Sequence, residues 1–368
     1  MEFQVWREGL QGEEGMLLLD FAKAYDRVDH KYLDRVLRRM GIPTKVRGVI
    51  QDLYCQARFR VQTTEGVTEA RAHASGVRQG DLISSFLFVL ALEPLMCWLR
   101  DTLVGIEREG VTKKVSAYAD DMLLFARDGE DADFAKEGIG WYEKASGAEL
   151  RPDKSWVVGS TVVPGFRVWH PGEHIKYLGY AVGRDGMERQ VSKMVGALNK
   201  WRWKSLSMIG RVNVMNSYGL SMLTYHMCIH PYTEEVSKKI SQITRWFLFY
   251  GNEKMDPARR YVGTMSSGKL LAMGLLDWGM QWRALRAVTV MKVVRDTGSK
   301  IGEIARRRLE SMKEKRGWLV SPLWAYNTRW RGVDKDGVLG SWLAEAGGGL
   351  GYTHFIPFRL VTWRACGQ

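Results

Sequence analysis

Met16 to Leu19 is a short apolar run that stops at Asp20, a pattern that predicts a buried strand with an acid at its C-terminal end. Tyr32, Leu33, Val36, Leu37 and Met40 then recur at helical spacing. Asp29 stands where a helix cap belongs, and Gly41 followed by Pro43 ends the run. Phe59-Arg60-Val61-Gln62, a polar turn around Glu65-Gly66 and a return segment predict a β-hairpin within residues 56–75. Leu82 to Arg100 is apolar on nearly every side, which predicts a helix buried all round, with Ser84 and Ser85 needing internal partners or a cleft. Val115 to Tyr118 and Met122 to Ala126 flank two adjacent acids, Asp120 and Asp121, and read as a second hairpin with the acids at its tip.

Asp131 to Ser146 reads as an amphipathic helix with Phe134, Trp141, Tyr142 and Ala145 inward, closed by Gly147. Pro152-Asp153-Lys154 is a turn leading to the strand Trp156-Val157-Val158. Ile175 to Tyr180 with Arg184-Asp185-Gly186 suggests a further hairpin. This order implies an α+β fold, an antiparallel sheet backed by helices. From Val191 the pattern turns helical. Met194, Leu198 and Trp201 form one stripe, and Ile209–His226 and Glu234–Tyr250 are two more helices separated near Pro231. Ile301 to Arg316, with Arg306-Arg307-Arg308, reads as a basic helix, and the Gly- and Trp-rich last fifty residues suggest no role.

Composition narrows the class. The chain has 368 residues, 45% hydrophobic and 26% charged, which suits a globular protein of two or three domains. Cys55, Cys97, Cys228 and Cys366 are far apart and form no C-x-x-C pair or Cys/His cluster, so neither a disulfide framework nor a zinc site is supported. Glu2, Glu8, Glu13 and Glu14 mark an N-terminus without a long apolar run, hence no visible signal peptide. Leu82–Leu92 is too short to span a bilayer. The expected setting is intracellular, nucleus or cytoplasm. Of the net +13, the stretch from Arg184 to Arg316 holds 25 Lys/Arg against 11 Asp/Glu, so the positive charge is confined to it. A phosphate backbone is a fitting polyanion for such a surface, with a solubilising face as the plainer reading. Lys200-Trp201-Arg202-Trp203-Lys204 interleaves cations with aromatics, which suits phosphates and base faces or, equally, cations lying over core tryptophans.

The acids carry the candidate chemistry. Neighbouring side chains on a strand point to opposite faces, so of Asp120 and Asp121 one can face a cleft while the other supports it. Two acids at a hairpin tip repel unless a cation neutralises them, though Asp also favours ordinary turns. If the strands ending at Asp20 and Asp120 are neighbours, the two carboxylates share one site. Hard oxygen ligands suit Mg²⁺, and two such ions about 3.5–4 Å apart serve nucleotidyl transfer.

At this point the sequence resembles a family. Leu17 to Asp29 looks like the first catalytic motif of reverse transcriptases, Gly76-Val77-Arg78-Gln79-Gly80-Asp81 like their second palm motif, and Tyr118-Ala119-Asp120-Asp121 like their aspartate pair. Lys154 sits in a stretch like the next motif, and Tyr177-Leu178-Gly179 resembles the primer grip. The likeness is to non-LTR (LINE-type) retrotransposon reverse transcriptases. Trp203 to Arg211, then Phe247 to Gly251, resemble their thumb, and Gly274-Leu275-Leu276-Asp277 with Arg283-Ala284-Leu285 extends the likeness to about residues 16–290.

The resemblance implies an RNA-directed DNA polymerase using an RNA template, a DNA primer and deoxynucleoside triphosphates, with Mg²⁺ (two ions) or Mn²⁺ as cofactor. Asp20, Asp120 and the Phe21 carbonyl would hold metal, with Asp121 in support. Tyr25 would be the steric gate against a ribose 2′-hydroxyl, which argues against an RNA-templated RNA polymerase. Gln79 and Gly80 would lie against the incoming nucleotide, Lys154 would protonate pyrophosphate, and Tyr177 to Gly179 would hold the primer end. Arg78, Lys200, Arg202, Lys204 and Arg211 would contact nucleic acid.

The implied domains are a palm with partial fingers and primer grip over 1–183, a helical thumb over 184–255, and a basic, Trp-rich region over 256–368. Two departures stand out. Only nineteen residues precede Asp20, so the fingers that grip the triphosphate are expected to be missing and the chain truncated at its N-terminus. The family's usual Gly-Asp-Pro-Leu-Ser-Pro is here Gly80-Asp81-Leu82-Ile83-Ser84-Ser85, and loss of both prolines predicts a looser helix entry. The alternative to a polymerase is a catalytically inactive, nucleic-acid-binding remnant.

Overall fold

The computed structural model describes residues 2–55, 58–72, 75–173, 175–182, 186–230, 232–249 and 274–315. The expectations for Tyr250, Gly251, Arg184, Asp185, Arg316 and the Trp-rich C-terminal stretch fall outside them. The chain divides into two units, Gly9–Gly179 and a second made of Met1–Glu8 with Tyr180–Gln368.

A short helix α1 (Glu2–Glu8) belongs to the second unit. The first unit opens with β1 (Gly15–Leu19), all five residues buried. After α2 (Ala24–Arg27) comes α3 (His30–Arg39), capped by Asp29, whose Oδ1 accepts from the Tyr32 amide at 2.6 Å. Gly41, at φ 80, follows its last turn. Tyr32, Leu33, Val36 and Leu37 face inward, but Met40 sits past the last helical residue and is exposed. A helix that the pattern did not reveal, α4 (Thr44–Cys55), comes next; Ile50 and Tyr54 pack against the core while Val46, Val49 and Leu53 point outward, so its apolar residues are spread around the helix and mark no single face.

The hairpin expected within 56–75 is two short ladders, β2 (Arg58–Phe59) with β5 (Arg71–Ala72) and β3 (Gln62–Thr63) with β4 (Gly66–Val67). Helix α5 (Ser84–Thr102) is not buried all round. Leu87, Ala91, Leu95 and Leu99 face the core, while Leu82 is 98% exposed and Phe86 and Val89 also reach solvent. With no proline at its entry, the start of α5 is held by the Asp81 carbonyl, which accepts from both the amide and the hydroxyl of Ser84 (3.3 and 2.7 Å).

Hairpin β6 (Ile106–Arg108) and β7 (Val111–Lys113) leads to β8 (Val115–Tyr118) and β9 (Asp121–Ala126). Helix α6 (Gly129–Ser146) ends at Gly147 with φ 78. Its inward stripe is Ala132, Ala135, Ile139 and Tyr142; of the expected inward set Tyr142 is buried, while Phe134, Trp141 and Ala145 lie outside. Small residues face inward because α6 runs close to its neighbour. A Cβ built on Gly138 would stand 2.2 Å from the Trp98 ring of α5. β10 (Trp156–Gly159), β11 (Arg167–Val168) and β12 (Ile175–Tyr177) complete the unit.

The main sheet runs β11-β10-β1-β9-β8, with β11 parallel to β10 and the other neighbours antiparallel. Leu17 lies opposite both Leu124 and Val157. These three, with Leu19, Met122 and Ala126, share one cluster with the inner faces of α3, α5 and α6. Each fully buried Leu or Phe there is worth roughly 1.5–3 kcal/mol relative to solvent. One face of the sheet is thus sealed by helices. This is the α+β arrangement the pattern implied, antiparallel in all but one pairing.

The second unit begins with β13 (Tyr180–Val182) and is otherwise helical: α7 (Gly186–Arg202), α8 (Met208–Val214), a π-helical segment (Met215–Leu220), α9 (Ser221–Ile229), α10 (Glu234–Leu248), α11 (Trp278–Arg295) and α12 (Lys300–Lys315). Met187, Val191, Met194 and Leu198 make the inner stripe of α7. The helix expected over 209–226 is interrupted by the π segment. Three buried donors read carbonyls at helix ends: Arg286 bonds Ile229 O and Trp282 bonds His230 O, both at 3.0 Å, and Arg211 bonds Phe247 O at 2.8 Å. Cations suit the negative end of a helix dipole, which accounts for arginines inside. Among the described residues no helix is long and apolar enough to cross a membrane.

Candidate active site

Asp20 lies one residue past β1. Its backbone is held on both sides by the turn before β10: its N–H donates to Ser155 Oγ (3.1 Å) and its carbonyl accepts from Arg151 N (2.8 Å). Ser155 is buried and its hydroxyl donates to Arg151 O (2.8 Å), so the turn is itself rigid. Leu19 and Phe21 both belong to the helix-side cluster, and alternation along the chain directs Asp20 to the opposite face. Phe21 is anchored edge-on against Tyr142 at 6.1 Å.

Asp121 opens β9 and alternates with Met122 of the helix-side cluster, so it also points away from the helices. The last β1–β9 pair is Leu19 with Met122, which leaves Asp20 and Asp121 one step beyond it on adjacent chains. Tyr118 pairs with Asp121, so Ala119 and Asp120 form a two-residue hairpin loop. Ala119 takes φ 54, a left-handed conformation costly for alanine, of the kind concentrated at functional sites.

Asp20, Asp120 and Asp121 are all exposed. Among the described residues their carboxylates make no hydrogen bond or ion pair. Asp131 shows the contrast: buried at the start of α6, it accepts from the amides of Val104, Gly105 and Arg127 at 2.8–2.9 Å and is spent on structure. Crowding is felt at Asp121. Desolvation, then the charges of Asp120 and Asp20, hold its carboxyl above the usual range, while Lys176 pulls it down. No group of three or more His, Cys, Asp or Glu among the described residues forms a ready-made metal cage. The donor set is instead open and made of hard oxygen, which matches how Mg²⁺ is held by one or two carboxylates together with substrate phosphates.

The second motif is stitched to the segment after Asp20. Gly76 N donates to Val28 O, Val77 N to Tyr25 O, and Ser75 Oγ to Asp26 O, at 2.7–3.0 Å. At φ 88, a Cβ on Gly76 would strike the Asp26 backbone at 2.5 Å, so only glycine fits. Tyr25 is held in a stack on Phe88 of α5, ring centroids 4.4 Å apart. Gln79 and Gly80 are exposed, and nothing lies within 4 Å of a Cβ placed on Gly80. Arg78 is engaged: it bonds Leu53 O, lies 3.5 Å from Asp81 and covers the Tyr54 ring. Lys154 is exposed on the turn that grips Asp20. Tyr177 is buried, while Leu178 and Gly179 are exposed and both left-handed (φ 48 and 77), the signature of a type I′ turn.

In the helical unit Lys200 and Lys204 are exposed and Arg202 half-buried. Arg211 is 2% exposed and has no surface to offer a phosphate, which corrects its expected contact with nucleic acid. Three residues near the acids escaped the sequence reading. Ser155 and Phe88 act through contacts that pattern cannot show. Lys176 had a faint signal, as the solvent-facing middle residue of Ile175–Tyr177.

Residues 5–182 match the family model described as reverse transcriptase (RNA-dependent DNA polymerase). A transposon TX1 uncharacterized 149 kDa protein of Xenopus laevis is 35% identical over 254 residues, covering 64% of this chain and 19% of that protein. A retrovirus-related Pol polyprotein from the type-1 retrotransposable element R2 of Nasonia vitripennis is 31% identical over 142 residues, covering 37% of this chain and 13% of that protein. Residues 5–182 are thus similar to a reverse transcriptase domain, and the relatives named are transposon and retrotransposable-element proteins. The chain spans less than a fifth of these relatives' length. Apo telomerase from Candida tropicalis aligns with TM-score 0.38 at 11% identity, over 81% of this chain and 54% of that one, a likeness too low to carry an argument. The acids described above all lie inside the reverse transcriptase match.

Proposed function

We propose that the chain performs RNA-directed DNA synthesis, with residues 1–183 as palm and primer grip and 184–255 as thumb. The carrying observation is three exposed carboxylates, Asp20, Asp120 and Asp121, without a bonded partner among the described residues and gathered at one end of the main sheet. Asp20, Asp120 and the Phe21 carbonyl would hold Mg²⁺, which when bound favours ionisation of a primer 3′-hydroxyl and neutralises pyrophosphate charge. Asp121 keeps the cluster anionic, and repulsion within it is relieved when a cation arrives.

The protein's own groups do the rest. Tyr25, immobilised on Phe88, excludes a ribose 2′-hydroxyl. The open ledge of Gln79 and Gly80 receives the nucleotide, and Lys154 offers a proton to departing pyrophosphate. The Tyr177-Leu178-Gly179 turn supports the primer end. Lys200, Arg202 and Lys204 meet phosphates of the template–primer.

Primer extension on an RNA template with deoxynucleotides and Mg²⁺ tests this. Wild type should extend, Asp120→Ala should fall to background, and Tyr25→Ala should admit ribonucleotides. Equal extension by wild type and Asp120→Ala removes the reading. Salt-sensitive binding with no extension by wild type makes the chain a nucleic-acid-binding remnant instead.

A further inference from the structure

The π-helical segment (Met215–Leu220) carries Tyr218 beside the end of α7. Gly219 lets it lie against α7: a Cβ there would stand 3.0 Å from Met215 Sδ and 3.4 Å from Leu198 of α7. The segment is fastened from two sides. Asn216 bonds Gly274 O (2.8 Å) and the Leu276 amide (3.2 Å), while Gln190 Nε2 of α7 bonds Met222 O (3.1 Å) in the first turn of α9, just past the segment. Segments of this kind are often found at functional sites. Here the result is that Tyr218, half exposed, meets the Trp201 ring at the end of α7, centroids 5.0 Å apart.

The same corner carries further rings and cations. Trp203 is 83% exposed, an unusual position for the largest apolar side chain. Arg202 lies over both Trp203 and Trp246, at 5.0 and 5.4 Å, and Lys204 lies over Trp201 at 5.7 Å. Lys200 is exposed one turn back. Exposed aromatic faces beside cations match the combination that binds single strands, where bases stack and phosphates pair with charge.

We propose that Trp203, Trp201 and Tyr218 form a stacking platform for unpaired bases of single-stranded nucleic acid, with Lys200 and Lys204 on its phosphates. This goes beyond phosphate contact along a duplex. Paired bases hide their faces within the stack, so a duplex meets the lysines but not the rings. Single-stranded RNA next to the copied region is the chemistry the platform recognises. The inference deepens the nucleic-acid reading above but does not depend on nucleotide incorporation.

The test is fluorescence anisotropy with the full chain, using labelled oligouridylate of about fifteen nucleotides, a length spanning such a site, and a blunt duplex of similar length. Trp203→Ala and Tyr218→Ala should each weaken binding of the single strand about tenfold, the scale of one lost stacked base. Both should leave the duplex within about twofold. Trp203→Phe should keep most of the single-strand affinity, because a ring remains, and Lys204→Gln should lower the salt slope for both ligands. Unchanged circular dichroism and melting exclude misfolding, the more readily because Trp203 is on the surface. No loss on the single strand, or an equal loss on both ligands, overturns the platform. If the binding difference holds but wild type incorporates no nucleotide, the polymerase reading fails and this one stands.

Discussion

Asp20, Asp120 and Asp121 are exposed and have no bonded partner among the described residues, whereas Arg211 and Arg286 of the helical unit are buried with carbonyls to bond. The sheet unit seals its apolar residues under helices on one face and leaves these acids at the strand ends, where Asp20 is held through its backbone by Ser155 and Arg151. The helical unit has more helix ends than it can expose and draws charged and polar side chains inward to satisfy them. A charged residue is therefore placed by which backbone groups lack partners, not by its charge alone. Exposed acids without partners point to a ligand; buried cations with partners point to architecture. The exposed rings Trp203 and Tyr218 are the reverse case, apolar groups left outside and so also open to a ligand.

Three changes would break or sharpen this contrast. The largest effect is expected at the backbone seam of the sheet unit. Gly76→Ala combines a left-handed φ with a collision against Asp26, and should cost about 3 kcal/mol in urea unfolding. A loss below about 1 kcal/mol would mean that the seam is loose and the position of Tyr25 is not enforced by it.

The next is acid sensitivity of the helical unit. Burial first, then His226 and Arg286, push the His230 imidazole down to about 3. The unfolded chain, with an ordinary value of about 6.5, takes up the proton first as pH falls. The stability this neutral ring permits is complete above about pH 6.5 and is lost progressively as pH drops toward the folded value. His230→Gln should flatten that acid limb by about 2 kcal/mol between pH 6.5 and 4, read from denaturation midpoints across pH. An unchanged limb would place the acid sensitivity elsewhere.

The smallest effect has the opposite sign and lies in the sheet unit. Asp121 has a folded value raised above its unfolded one, so its cost is present at neutral pH and relieved as pH falls through the carboxylate range. Asp121→Asn should give a small rise in melting temperature at pH 7 that disappears near pH 3. Added Mg²⁺ should shrink the gain at pH 7 by stabilising the wild type. A gain that persists at acid pH would show that neither desolvation of the charged carboxylate nor its repulsion by Asp120 and Asp20 is the cause.

Local physics was legible in advance. A four-residue apolar run before an acid, an Asp three residues ahead of Tyr32, and two short strands around Asp120-Asp121 all became what they suggested, because each depends on neighbours in the chain. Aromatic content misled in α6. There, Phe134 and Trp141 are exposed, Trp141 lying edge-on to Trp98 at 4.5 Å, while Gly138 gives the Trp98 ring room against the helix. Helix α5 looked uniformly apolar, yet only part of it found a partner.

By itself the amino-acid order determined the α+β opening, the helical second half, the motif acids and the concentration of positive charge after Arg184. These are properties of composition and short spacing. Only tertiary structure decided that Ser155 pins the Asp20 backbone, that Phe88 holds Tyr25, that Arg211 is inside and that a π turn sets Tyr218 beside Trp201. Each of these joins separate elements, up to 135 positions apart in the case of Asp20 and Ser155. Contacts at such separations are settled by packing and by the search of buried polar groups for partners, which no local spacing records.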